Sequence, residues 1–180
     1  MKVNRRWIQI IVFSMILMIG TITIVNNIIS SKDSKDLQVG ERPPAFSLLG
    51  LDGNMHELAA YSNKLILINF WGTFCPPCRN EMPALQRQYE KWNPQGVEFI
   101  AISVDKNKVT VENFINELNI KFPILLDLKE TVRMQYGILY YPTTFFVLPN
   151  GKVAHKQIGE MNEAFIDQTI QSLLSDELDK

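Results

Sequence analysis

Both cysteines of the chain lie in Cys75-Pro76-Pro77-Cys78, directly after the apolar run Leu65–Trp71 (LILINFW) and at the opening of a helix-like pattern. That placement has chemical consequences. Unpaired backbone N–H groups and the positive end of a helix dipole favour an anion, so a thiol there ionises more readily than its ordinary pKa of about 8.5 suggests. Two intervening residues within one helical turn bring the sulfurs within reach of a single reversible disulfide. Proline suits a first turn, because its missing N–H would lack a partner anyway. Cys75, at the outer edge, is the expected attacking thiolate, and Cys78, one turn inward, the expected resolving thiol. Two prolines withhold two N–H donors from the thiolate, and no His stands between the cysteines. Both features point to a reductant rather than a strong oxidant.

Two other uses of these residues stand beside that reading. A purely structural disulfide is one, although so short a loop constrains the unfolded chain little. A Cys₂His₂ zinc centre is the other, using His56 and His155. Those histidines are far apart in sequence, and each has an ordinary surface role in a hairpin strand. No metal or other cofactor is expected.

The elements that must position the cysteines alternate in type. Val39–Pro44 punctuates the entry to a domain, and Phe46–Leu49 and Met55–Leu58 flank the hairpin turn Asp52-Gly53. Leu65–Trp71 reads as a strand covered on both faces. After Pro83 the period becomes that of a helix, with Met82, Leu85, Tyr89 and Trp92 on one face. Val97–Val104 predicts a strand, Val109–Asn119 a helix, Phe122–Leu126 a short strand and Glu130–Tyr136 a helix. Thr143–Leu148 and Lys152–Ile158 flank Asn150-Gly151, a second hairpin, and Phe165–Leu174 closes with an amphipathic helix. Strands separated by helices, then a hairpin and a helix, imply a three-layer α/β domain with a mixed central sheet.

The 180 residues are 46% apolar and 21% charged with a net charge of −1, which disfavours disorder and gives no field for gripping nucleic acid. The charge is uneven. Residues 1–38 hold five Lys/Arg against two acids, leaving 39–180 at −4. No ionisable residue lies between Ile8 and Ile29, and a helix of that length spans a hydrocarbon core of about 30 Å. Lys2, Arg5 and Arg6 precede it and Trp7 suits the interface, so the short N-terminus is expected in the cytoplasm. A cleaved signal peptide is the competing reading, but Val25-Asn26-Asn27-Ile28-Ile29 offers no small-x-small site. The expected organisation is therefore a cytoplasmic N-terminus at 1–7, a transmembrane signal-anchor helix at 8–29, a polar tether at 30–38 and a domain at 39–180. The domain is expected outside the membrane, where disulfides persist.

The segment Asn69–Pro83 (NFWGTFCPPCRNEMP) resembles the active-site segment of membrane-anchored thioredoxin-like proteins, the ResA, TlpA and CcmG group of bacterial thiol-disulfide oxidoreductases. The likeness runs from about Val39 onward and includes the N-terminal hairpin and a central helix–strand insert at about 109–126. It implies a thioredoxin-like α/β/α fold preceded by one transmembrane helix. It also implies reduction of disulfides in exported proteins, above all the CxxCH of apocytochrome c, with electrons from a membrane donor of the CcdA type. Related members serve endospore formation.

By the same resemblance, Cys75 and Cys78 are nucleophile and resolving thiol, joined in a redox disulfide, and Glu81 is the active-site glutamate. One turn beyond Cys78, a partly buried Glu81 would have a raised pKa and could hold or return a proton; the alternative is a solvated first-turn acid. Tyr141-Pro142-Thr143 takes the place of the family's cis-proline loop, with Pro142 beside the cysteines if cis, or a trans proline at a strand start. Trp71, Phe74, Pro76 and Pro77 complete the implied substrate contacts. Phe74 stands where the family usually has Trp, which keeps an aromatic cover and loses an indole N–H.

Other functions fit the residues less well. A disulfide-forming oxidant would share the chemistry at a higher potential. A peroxiredoxin-type peroxidase needs a Thr four residues before its cysteine, whereas Thr73 is two before Cys75. A copper-binding assembly factor of the Sco type would use two thiolates and His155, but with three residues between the cysteines rather than two.

Overall fold

The computed structural model describes residues 5–30 and 36–178. The chain divides into two compact units, residues 1–35 and 36–180. In the first, α1 (Arg5–Ser30) is one unbroken helix, as expected of an apolar run without proline. The Thr21 hydroxyl bonds back to the carbonyls of Leu17 and Met18 at 3.0 and 2.9 Å, so this polar side chain is satisfied within the helix. Among the described residues no helix is long and apolar enough to cross a membrane. The crossing expected over 8–29 lies partly outside the described residues. The side chains of Ile8 and of 24–30 lie outside the described residues, and the stretch between is shorter than the about 20 apolar residues a crossing takes. Residues 1–4 of the expected cytoplasmic terminus and 31–35 of the expected tether also lie outside the described residues.

The second unit is built on a seven-stranded mixed sheet. In chain order the strands are β1 (Ser47–Gly50), β2 (Met55–Glu57), β3 (Leu65–Trp71), β4 (Val97–Ser103), β5 (Ile124–Leu126), β6 (Thr143–Val147) and β7 (Val153–Ile158). Their spatial order is β2-β1-β5-β4-β3-β6-β7. The central strands β3, β4 and β5 are parallel, and β6 and β7 continue antiparallel on one side. The hairpin β1–β2 caps the other side, β1 running antiparallel to β5. The fold is thioredoxin-like, with the expected N-terminal hairpin and central insert, α3 (Lys108–Glu117) followed by β5.

Burial explains the strand patterns. All seven residues of β3 are buried, so its sequence is a continuous apolar run broken by one polar residue, Asn69. Alternation sends Leu65, Leu67 and Trp71 to one face and Ile66, Ile68 and Phe70 to the other. The first face packs against α2 (Pro76–Trp92), α3 and α5 (Glu163–Leu178) through Met82, Leu85, Val111, Phe114, Ile166 and Ile170. The second is covered more thinly, by the short α4 (Thr131–Gln135), by Tyr136 and Ile138, and by Leu37 and Phe46 from the entry segment.

Helix α2 begins at Pro76, so the cysteine pair opens it as expected, and it carries Pro83 inside it. Apolar contacts of Cys78 and Met82 below the first turns outweigh the single N–H that Pro83 removes. Leu58 is not a strand residue but opens a 3₁₀ turn, Leu58–Tyr61.

Candidate active site

Strand β3 ends at Trp71, and three residues later the chain enters α2 with Cys75 as its N-cap. The turn is closed by the Cys75 N–H donating to the Gly72 carbonyl at 3.1 Å. Cys75 and Cys78 form a disulfide with Cα atoms 5.3 Å apart. The Cys78 N–H donates to Cys75 Sγ at 3.2 Å. This is the donor that Pro76 and Pro77 leave available, and it would favour a thiolate at Cys75.

Cys75 is 7% exposed and Cys78 fully buried, so Cys75 is the more accessible sulfur but less open than its outer-edge position suggested. Its side chain turns inward, toward the Cys78 N–H and sulfur, instead of into solvent. Pro76, Pro77 and Phe74 are exposed around it. Phe74 packs edge-on against Tyr141, ring centroids 5.9 Å apart.

The loop before β6 approaches from the other side. Phe70 is paired with Thr143 in the β3–β6 register, so Tyr141-Pro142 lies just past the end of β3 from which the cysteine loop departs. The Tyr141–Pro142 peptide is cis. Pro142 is buried, and the Thr143 side chain is turned inward, its hydroxyl donating to the Tyr140 carbonyl at 2.7 Å. The structure therefore brings Phe74 and Tyr141 together at the surface beside the cysteines. It does not bring Trp71 there. Trp71 is wholly buried with its ring 5.0 Å from Phe114, so it supports the loop from below rather than meeting a docked chain.

Glu81 lies beneath this surface, 1% exposed. Asn69 Nδ2 donates to its Oε1 at 2.8 Å, and the Met161 N–H to its Oε2 at 3.1 Å. Burial, reinforced by the Glu160 charge, outweighs these two donors and pushes its pKa up to about 7. The solvated first-turn acid is thereby replaced by a buried carboxyl poised to change protonation near neutrality, one turn from Cys78.

Two groups had no place in the sequence reading. Asn69 also donates to Thr144 Oγ1 at 2.9 Å, tying β3, β6 and Glu81 together. Its signal was available, since a polar residue in an otherwise apolar buried run needs a partner. Asp105, just past β4, accepts from the Thr73 N–H at 2.9 Å and from the Thr73 hydroxyl at 2.5 Å. Nothing in the sequence near Asp105 announces that long-range contact. Of the histidines, His56 has the expected ordinary place in its hairpin, bonded to Asp52 of the turn and to Tyr61 of the following 3₁₀ turn, whereas His155 is half-buried between the rings of Phe146 and Phe165 because its strand faces α5. Among the described residues no group of three or more His, Cys, Asp and Glu gathers as metal ligands would.

A CxxC disulfide at a helix N-terminus, facing a cis-proline loop on a thioredoxin-like sheet, defines the class of thiol-disulfide oxidoreductases. Residues 39–156 match the AhpC/TSA family, and the chain belongs to that family. It is 37% identical over 144 residues to the thiol-disulfide oxidoreductase ResA of Bacillus subtilis strain 168, covering 80% of this chain and 79% of that one. The ResA of Bacillus thuringiensis strain Al Hakam is 31% identical over 173 residues, covering 96% and 99% respectively. Among solved structures, a putative thiol:disulfide interchange protein DsbE from Chlorobium tepidum superposes with a TM-score of 0.73 at 26% identity, over 77% of this chain and 99% of that one. The chain is a ResA-like thiol-disulfide oxidoreductase.

Proposed function

We propose that the protein reduces disulfides in exported proteins on the outer side of the membrane, the CxxCH of apocytochrome c first among them. The observation that carries the reading is the pairing of a Cys75 sulfur at a helix N-terminus with a buried Glu81 one turn from Cys78, whose pKa burial pushes up to about 7. The uncharged run 8–29, preceded by Lys2, Arg5 and Arg6, supports anchoring of the chain with its domain outside.

In the reduced protein the Cys75 thiolate attacks one sulfur of the client disulfide, forming a mixed disulfide and expelling a client thiolate. Glu81 receives the proton of Cys78, whose thiolate then attacks Cys75 Sγ. The Cys75–Cys78 disulfide closes, the second client thiolate leaves, and two electrons have passed to the client. A membrane donor of the CcdA type returns two electrons, Glu81 gives its proton back to Cys78, and the two client thiolates take their protons from water. Phe74, Tyr141 and the exposed prolines Pro76 and Pro77 contact the client around the sulfur; Pro142 and Thr143 shape the loop that meets it.

Trapping tests the proposal. The full chain carrying Cys78→Ala should accumulate a mixed disulfide through Cys75 with an exported CxxC-bearing protein, identified by mass spectrometry. Absence of any adduct overturns Cys75 as the attacking thiol, and adducts confined to proteins without a CxxC pair overturn the client class.

A further inference from the structure

Asp105 is 8% exposed and takes no ion pair among the described residues. Its oxygens accept three hydrogen bonds: Oδ2 from the Thr73 N–H and the Ser103 hydroxyl, each at 2.9 Å, and Oδ1 from the Thr73 hydroxyl at 2.5 Å. An all-acceptor pattern of this kind belongs to an ionised carboxylate. The Asp105 N–H in turn donates to Ser103 Oγ at 3.1 Å, and the Val104 N–H donates to the Trp71 carbonyl at 3.0 Å. The end of β4 thus grips residues 71–73, the stretch that delivers Cys75 to the start of α2. The neighbouring cations are engaged elsewhere. Arg79 on α2 is paired with Glu117 of α3, and Lys106 lies 3.8 Å from Glu130.

We infer that Asp105 is a positioning residue that fixes the Cys75 loop and, as an anion without an ion-pair partner among the described residues and bonded to Thr73 two positions before Cys75, keeps the dithiol–disulfide couple reducing. The inference rests on Cys75 being the attacking thiol and goes beyond it. Two opposed influences then set the sulfur's ionisation. The Cys78 N–H and the helix terminus favour the thiolate, while the Asp105 charge disfavours it. Because stabilising the thiolate stabilises the reduced form, an anion placed here lowers the tendency of the disulfide to accept electrons.

The test uses the full chain in detergent, with two readouts. One is the pH dependence of Cys75 alkylation by iodoacetamide in the reduced protein; the other is the equilibrium constant for exchange with dithiothreitol. Asp105→Asn keeps the size and an acceptor for the Thr73 N–H but removes the charge. It should move the Cys75 titration to lower pH, raise the thiolate fraction at pH 7 several-fold and shift the equilibrium toward the reduced protein. Thr73→Val removes a hydrogen bond of the same clamp and leaves the charge, so it should leave the Cys75 titration in place. An unchanged titration in Asp105→Asn, or an equal shift in Thr73→Val, overturns the assignment. Neither readout involves a client, so failure here is separate from failure of client trapping.

Discussion

The two faces of the central sheet are made by the same strands and yet are built on opposite principles. On the face toward α4, Ile66, Ile68, Phe70, Ile100, Ile102, Phe145 and Val147 pack with Tyr136 and Ile138 and present almost nothing polar. The buried Tyr136 hydroxyl there donates to the Pro44 carbonyl at 2.9 Å, and burial holds its pKa well above the ordinary tyrosine range. On the face toward α2, the alternate residues of the same strand include Asn69 and Trp71, with Glu81 and both cysteines above them. Asn69 Oδ1 and Trp71 Nε1 are buried there with no partner among the described residues. One face carries stability and the other carries chemistry at the expense of stability. A single-residue slip of β3 would exchange them, and the continuous register of β3 with β4 and β6 prevents it.

The sharpest way to break this contrast is to damage the apolar face alone. Phe70 contacts Tyr136 at 5.0 Å and Phe145 at 6.2 Å between ring centroids, and it is fully buried. Phe70→Ala should cost about 3–5 kcal/mol in denaturant unfolding, the usual penalty for an emptied aromatic site. Its dithiothreitol equilibrium should stay that of the unaltered protein. A large shift in that equilibrium would mean that the two faces are coupled.

Glu81 gives the next largest effect, on the other face. Its folded-state pKa of about 7 lies above the ordinary 4.5, so the folded chain binds more protons than the unfolded chain between those values. The sign follows directly. Stability from this group is fully present below about pH 4.5 and is lost as pH rises through 7. At about 1.4 kcal/mol per pH unit, the loss amounts to roughly 3–4 kcal/mol. Glu81→Gln should flatten that pH dependence in unfolding experiments at pH 5 and pH 9, and remove the inflection near pH 7 from the rate of disulfide exchange.

What could be read from the sequence follows the reach of each interaction. The strands and helices are implicit in the apolar periodicities, and the CxxC site in two cysteines placed between a strand and a helix, because those signals are local. The role of Glu81 depended on resemblance, since its hydrogen-bond partners are Asn69 twelve positions earlier and the Met161 backbone eighty later. Asp105 was silent for the same reason, as its partner Thr73 is thirty-two residues away. Trp71 misled in the opposite direction. An aromatic beside the cysteines suggested contact with substrate, but strand alternation turns it inward onto Phe114.

The smallest predicted effect separates support from chemistry within the site itself. Asn69 Nδ2 is one of two donors that favour the ionised form of Glu81, the other being the Met161 N–H. Asn69→Ala removes that donor while leaving the burial of Glu81, the dominant cause of its raised pKa. The Glu81 titration should therefore move further up, above 7, by an amount of the order of one hydrogen bond to a charged group, about 1.5 kcal/mol, or roughly one pH unit. The inflection in the exchange rate would move to higher pH by the same interval. In the Glu81→Gln background the Asn69→Ala change has no carboxyl left to act on, so the pH profile should not respond to it. An equal response in both backgrounds would assign Asn69 to the packing of β3 against Thr144 and α2, and would mean that the inflection does not belong to Glu81.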